Sequence, residues 1–214
     1  MNAAGTLPAA LAALGPELVR EIVIADGGST DGTVAIANSV GALVTIAQPG
    51  RGTQLAAGAG AAAGKWLLFL HADCRLEPGW AEAAAAFIAR PEAASCTGYF
   101  DFALDDPNPA ARRLECIVAW RCRILALPYG DQGLLISRDL YDAIGGFALL
   151  PLMEDVELAR RLGRRRLARI GGRAVSSAAR YRRDGYWLRS LRNVFCLALY
   201  LAGVAPARIV RIYG

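Results

Sequence analysis

Three short apolar runs, each ending in a polar loop, constrain the fold of this chain more than any other feature. Residues 21–25 (EIVIA), 42–47 (ALVTIA) and 66–70 (WLLFL) show no in-out alternation of apolar and polar side chains, which is the pattern of strands buried on both faces. The first run leads into DGGSTDGT (26–33), too polar and too rich in glycine for anything but a loop, and then into a helix over 33–38. The second leads into Pro49-Gly50-Arg51-Gly52 and an alanine-rich helix over 53–63, closed by Gly64. The third ends in His71-Ala72-Asp73. Strands alternating with helices predict an α/β domain, a mostly parallel sheet flanked by helices. Ligands of such sheets gather outside the carboxyl ends of the strands.

Further along, the spacing predicts helices over 79–89, 109–127, 141–144, 154–162 and 193–202, and strands over 96–104 and 134–137. No repeat and no linker-like stretch interrupts them. With 214 residues, 55% of them hydrophobic, the chain can bury one core, so a single domain over 1–214 is expected.

Charge is distributed unevenly. Residues 1–150 carry ten basic and fifteen acidic side chains, and residues 151–214 carry fourteen basic and four acidic. A cationic last third suits a phosphate-bearing ligand or an anionic membrane surface. Lys65 is the only lysine, and this skew toward arginine makes the net charge of +5 weak ground for a nucleic-acid partner, so none is expected.

Cys74, Cys96, Cys116, Cys122 and Cys196 stand singly, without a C-x-x-C pair, so neither a disulfide framework nor a thiolate zinc site is indicated. His71 is the only histidine, which removes multi-histidine metal sites; any metal must be held by carboxylates. No basic stretch precedes an apolar one at the N-terminus, as a signal peptide requires. The longest uncharged apolar run, 194–207, is shorter than the roughly 20 residues that span a bilayer. A cytoplasmic location is expected.

Asp26, Arg51, Asp73, Asp131 and Asp155 each follow an apolar segment, where a sheet of this kind collects its ligand residues. A carboxylate there can accept a hydrogen bond from a base or ribose, or bind Mg²⁺ or Mn²⁺. Taken singly, each reads more readily as a solvated loop residue. Glu154 and Asp155, adjacent at a helix start, read alone equally well as acidic residues favoured by the helix dipole or as chemical groups.

Five motifs change that balance: DGGSTDGT (26–33), PGRGTQLAAGA (49–59), LHAD (70–73), GDQG (130–133) and MEDVEL (153–158). In this order they resemble family 2 glycosyltransferases of the GT-A fold, and most of all the small bacterial subgroup associated with radical-SAM and selenodomain proteins. The resemblance implies an inverting transferase that moves a sugar from a nucleotide-diphosphate donor to an acceptor hydroxyl, with Mg²⁺ or Mn²⁺ as cofactor. It divides the chain into a nucleotide-binding half, 1–127, and an acceptor-side half, 128–214.

By the same resemblance Asp26 and Arg51 hold the nucleotide, and Asp155 is the catalytic base with Glu154 beside it on the acceptor side. Asp73 matches the last aspartate of a metal-binding D-x-D motif that here reads His71-Ala72-Asp73. His71 is then either a metal or ribose contact or a strand-end residue satisfied by neighbouring backbone. Asp131 and Gln132 line the acceptor, and Arg180, Arg182 and Arg183, near Trp187, fall where the family places a basic segment close to the diphosphate. Family members open with an apolar strand and an L-N-E-A-like turn, whereas Met1-Asn2-Ala3-Ala4 matches the inside of that turn. The chain is therefore expected to lack the first, central strand.

Two other readings remain. Gly50-Arg51-Gly52 followed by Asp73 imitates the dinucleotide fingerprint of a Rossmann-type NAD(P)-dependent oxidoreductase, but Leu55 stands in place of its third glycine. A non-catalytic protein could bind a membrane surface through the arginines flanking 194–204. The plainer account of that segment is a C-terminal helix docked on the sheet, and peripheral membrane association is compatible with catalysis.

Overall fold

The computed structural model describes residues 1–15 and 18–213. The three expected strands form as β1 (Val23–Asp26), β2 (Leu43–Ile46) and β3 (Trp66–Phe69), separated by α2 (Thr33–Ser39) and α3 (Arg51–Ala61); α1 (Leu7–Ala12) precedes them. β1 and β2 pair in parallel and form a two-stranded sheet of their own. β3 instead belongs to a five-stranded sheet with β4 (Cys74–Leu76), β5 (Thr97–Leu104), β6 (Leu134–Ser137) and β7 (Leu167–Ser176), in the order β3-β6-β5-β7-β4.

The α/β class with flanking helices is as expected, but the pairing is not mostly parallel. β6 runs antiparallel to both of its neighbours, β3 and β5, and β4 runs antiparallel to β7; within this sheet only β5 and β7 are parallel. Unbroken apolar runs carry no information about strand direction. Nor are all three runs buried on both faces as expected, since Leu43 and Ile46 of β2 are exposed.

β7 was not expected at all. Its sequence, LARIGGRAVS, carries two arginines and a pair of glycines. Gly171 and Gly172 take φ of 82° and 74°. They lie where Tyr99 pairs with Arg169 but Asp101 already pairs with Arg173, so a bulge absorbs the extra residues. Left-handed backbone of this kind suits glycine, and the bulge hides the strand from periodicity.

Helices cover both faces. Trp80, Ala84 and Phe87 of α4 (Trp80–Ile88) pack with Phe100, Leu135 and Ala174. On the other face Leu140 and Tyr141 of α6 (Arg138–Ala143) and Leu158 and Leu162 of α7 (Glu154–Leu162) pack with Leu67 and Ile136. α5 (Pro109–Leu125) starts at Asn108, whose side chain accepts the Ala110 amide at 2.9 Å, and lays Ala111, Val118 and Cys122 on β5.

The chain ends in α8 (Ala179–Asp184), α9 (Tyr186–Leu201) and α10 (Pro206–Tyr213). The expected docking of a C-terminal helix on the sheet is corrected here. Cys196 of α9 packs against Met153, Val156 and Ala159 near and within α7 and against Ile209 of α10, while Trp187, Leu188, Leu191, Val194 and Phe195 are exposed. No helix among the described residues is long and apolar enough to cross a membrane.

Candidate active site

A cleft of about 1340 Å³ runs past the carboxyl ends of β1 and β3, and Asp26, Arg51, His71, Asp73, Asp131 and Asp155 all line it. Asp26 ends β1 and is 3% exposed. Its Oδ2 accepts the amides of Gly28 at 2.8 Å and Ser29 at 2.7 Å, and its Oδ1 accepts the Ser29 hydroxyl. Burial opposes ionisation, but these donors, led by the Ser29 hydroxyl, hold the carboxyl below its ordinary range. The loop is thus wound on Asp26. Gly27 packs closely beside it: a Cβ there would come within 3.0 Å of Gln54 and Met1 side-chain atoms.

Arg51 opens α3. The glycines around it serve packing: a Cβ on Gly52 would lie 2.0 Å from the Ala148 carbonyl oxygen, and the Gly52 amide donates to the Leu150 carbonyl at 2.9 Å. A dinucleotide fingerprint leaves such amides for a pyrophosphate, so the oxidoreductase reading loses its motif. Burial weakens the guanidinium's hold on its proton, but Tyr213, Glu154 and Asp155 around it raise its pKa. The guanidinium lies 5.3 Å from the centre of the Tyr213 ring.

Opposite it, the His71 ring packs on Gly130, where a Cβ would be 2.5 Å from Nε2. Burial first, and Arg51 and Arg180 after it, push the imidazole down to about 4 against the pull of Asp73 and Asp155, so the ring is neutral at pH 7. Asp131 sits in a 3₁₀ turn, Gly130–Gln132. Burial, with Asp155 and Asp73, pushes its carboxyl up to about 6 although Arg121 and Arg51 oppose this. Asp155, in the first turn of α7, receives the Gly130 amide on Oδ2 at 2.9 Å and its neighbour's amide, Val156, on Oδ1 at 2.7 Å. Nε2 of His71 and Oδ1 of Asp131 are buried without a protein partner.

The sequence pattern described as Glycosyl transferase family 2 matches residues 2–153. The chain belongs to that family. Among solved structures, this glycosyltransferase is similar to glucosyl-3-phosphoglycerate synthase from Mycobacterium tuberculosis, in a complex with Mn²⁺, uridine diphosphate and glucosyl-3-phosphoglycerate. The two are 19% identical with a TM-score of 0.61, over 95% of this chain and 77% of that one. It is also similar to S. aureus TarS 1–349, at 16% identity and a TM-score of 0.63, over 99% of this chain and 66% of that one. No curated protein matches. The fold shared with these proteins is the GT-A fold expected from the motifs.

Two expected acceptor residues of the glycosyltransferase turn away from the cleft. Gln132 is 2% exposed; its Oε1 accepts from Arg121, Cys122 and the Tyr129 amide, and its Nε2 donates to Phe100 at 3.1 Å. It is spent on pinning the turn that carries Asp131. Glu154 is 0% exposed, and neither carboxylate oxygen has a hydrogen-bond partner. Of the three expected arginines, Arg180 lines the cleft, while Arg182 pairs with Asp105 and Asp106 and Arg183 with Asp184 outside it.

Three residues had no signal in the sequence. Arg121 lies 3.4 Å over the Tyr129 ring, and Arg189, 2% exposed, lies 4.4 Å from the Tyr213 ring and donates to the Tyr213 carbonyl at 3.2 Å. Tyr213 thereby reaches the cleft from the last helix. Helical spacing alone shows none of these contacts.

Burial, reinforced by Asp155, pushes the Glu154 carboxyl up to about 8 although Arg51 opposes the shift. A folded-state value above the unfolded one means that the native protein holds a proton the unfolded chain releases, so stability falls as pH rises from about 4.5 to 8. Glu154→Gln keeps the neutral shape and removes the ionisation. Thermal unfolding of the variant is expected to match the parent near pH 5 and to exceed it at pH 8.5 by more than about 1 kcal/mol, roughly 2–4 °C for a chain of this size. Parallel pH profiles would assign the native Glu154 an ordinary, ionised state.

Proposed function

We propose that the protein is an inverting glycosyltransferase that moves a sugar from a nucleotide diphosphate to an acceptor hydroxyl, with Mg²⁺ or Mn²⁺, within the radical-SAM-associated subgroup that its motifs resemble. One observation carries this reading: His71 and Asp131 bring buried polar atoms without protein partners to the same cleft as Arg51, Asp73 and Asp155. Such atoms cost free energy until a ligand or water satisfies them. The mycobacterial synthase complex with Mn²⁺ and uridine diphosphate supports a uridine diphosphate sugar as donor.

In this reading residues 1–127 hold the nucleotide and 128–214 the acceptor. Asp26 meets the base or ribose, and Arg51 and Arg180 face the diphosphate. Asp73 is the protein ligand for the cation. Among the described residues no group of three or more histidine, cysteine or acidic side chains could hold a metal. A cation held at Asp73 would therefore need phosphate oxygens and water to complete its shell. When bound, the cation neutralises charge on the departing diphosphate. Asp155 receives the proton of the attacking hydroxyl. A carboxyl titrating near 6, as Asp131 does, can donate as well as accept a hydrogen bond and so suits an acceptor hydroxyl.

The inferred compartment is the cytoplasm. On α9 the exposed Trp187, Leu188 and Leu191 lie close to Arg192, which suits peripheral contact with an anionic membrane surface. The test of the activity is a screen of UDP-, GDP- and TDP-linked sugars with and without Mn²⁺, reading nucleotide binding, nucleoside diphosphate release and, by NMR, the anomeric configuration of the product. Cation-dependent release with inversion is expected. Retained configuration overturns inversion, and failure to bind any of these donors overturns the reading.

A further inference from the structure

α9 ends in a turn that sends the chain back along it. The Gly203 amide donates to the Tyr200 carbonyl and the Val204 amide to the Leu199 carbonyl, each at 3.0 Å, with Gly203 at a φ of 86°. A helix stop of this kind needs left-handed backbone, which glycine adopts without strain. Pro206 then opens α10, where a missing amide costs nothing. Ile209 is fully buried and packs α10 with Cys196 of α9 and Val156 of α7. Tyr213 follows four residues later, about one turn on, and so lies on the same face of the helix.

Backbone and ring of Tyr213 are both engaged. Its carbonyl, at the carboxyl end of α10, accepts from Arg189 at 3.2 Å and from Arg192 at 3.5 Å, where the helix dipole favours cations. Asp184 lies within 3.7 Å of both guanidiniums and balances their charge. The centre of the Tyr213 ring is 4.4 Å from the Arg189 guanidinium and 5.3 Å from that of Arg51. A ring face attracts a cation, and more strongly where water is excluded, as it is around the buried Arg189.

Arg51 has few other holds. It is the first residue of α3, and its long side chain has many rotamers to lose. The carboxylates near it are not its hydrogen-bond partners: neither Glu154 oxygen has one, and Asp155 spends its oxygens on the amides of Gly130 and Val156. The charge is therefore fixed in the cleft by an aromatic ring and left for an incoming anion. A guanidinium whose rotamer is set beforehand loses less freedom when the anion arrives, so it binds more tightly.

We propose that Tyr213 is a positioning residue of the donor site: its ring, fixed by Arg189 and Arg192, holds the guanidinium of Arg51 where the diphosphate enters. The proposal rests on the reading of Arg51 as a donor-site residue. Tyr213 acts through Arg51 alone, so a change at Tyr213 alters donor affinity only while Arg51 is present. α9 and α10 thereby take part in donor binding although Arg51 itself belongs to α3.

The test titrates UDP with Mn²⁺ into the full chain and into Tyr213→Leu, Tyr213→Phe, Arg51→Gln and the Arg51→Gln, Tyr213→Leu double variant. Tyr213→Leu is expected to weaken binding about tenfold, and Tyr213→Phe, which keeps the ring, to stay within about threefold of the parent. In the Arg51→Gln background the same leucine is expected to cost less than about threefold, because the group it acts through is gone. Equal losses in the two backgrounds assign Tyr213 to general packing and overturn the proposal. The Nε–H resonance of Arg51, identified by its absence from Arg51→Gln, reads the hold without any donor: Tyr213→Leu is expected to shift it, and an unmoved resonance overturns the proposal. If Tyr213→Leu does not fold, pentafluorophenylalanine at position 213 keeps the ring's size and reverses its charge distribution. The same loss of UDP affinity is expected from it, and affinity equal to that of Tyr213→Phe overturns the proposal. Weakened binding in Arg51→Gln with none in Tyr213→Leu overturns the proposal alone. Parent-like binding in Arg51→Gln removes the donor-site reading of Arg51, and the proposal with it.

Discussion

Asp155→Asn is expected to lower turnover by about 10²–10⁴-fold, the range that a positioned base contributes, while nucleotide affinity stays within about threefold. The two oxygens of Asp155 have separable duties. Oδ2 receives the Gly130 amide at 2.9 Å and so anchors the turn that carries Asp131. An asparagine carbonyl accepts that same bond, so the turn keeps its place, but the side chain can no longer take a proton from an acceptor hydroxyl. The measurement is steady-state turnover of a nucleotide-diphosphate sugar beside calorimetric titration with the nucleoside diphosphate. Undiminished turnover removes Asp155 as the base. A fall in both quantities together assigns it to donor binding.

The second large effect is expected at Asp73. Asp73→Ala should abolish the tightening of nucleoside diphosphate binding by Mn²⁺, a loss of roughly 10²-fold or more if the cation contributes several kcal/mol to holding the diphosphate. The backbone at this position is tied independently of the side chain, since the Asp73 carbonyl accepts the Ser177 amide at 3.1 Å. The variant therefore tests the carboxylate and not the fold. Binding without Mn²⁺ should change little, because Arg51 and Arg180 remain. A cation response equal to that of the parent would show that the ion is held elsewhere.

Much of the cleft around Asp26 could be read from the residues, because its signals are local. A buried strand, a glycine-rich loop and a helix start lie within a dozen residues of one another in 23–33, and the loop's hydrogen bonds to Asp26 are made by its own next residues. The part of the cleft around Asp131 and Asp155 is different. Glu154 and Asp155 are neighbours in sequence, but at the start of a helix successive side chains point about 100° apart, so one enters the cleft and the other the core. Asp131 and Gln132 divide in the same way. Burial of a charged or amide side chain leaves no mark in composition, and the direction of β6 leaves none in periodicity. The bulge at Gly171-Gly172 concealed β7, and Tyr213 enters the cleft through contacts more than a hundred residues away in sequence.

The pairing of the five-stranded sheet bears on how the chain can be cut. β3 finds its partner in β6, where Trp66 stands opposite Ser137, and β4 finds its partner in β7, where Cys74 stands opposite Ser176. Each of these ladders joins the first 127 residues to the rest. A fragment ending near Leu127 would leave β3 and β4 without their ladder partners, so residues 1–127 and 128–214 are not separable bodies. Pairings this distant in sequence also delay closure of the sheet until residue 176 has been made, which favours slow folding over rapid local assembly.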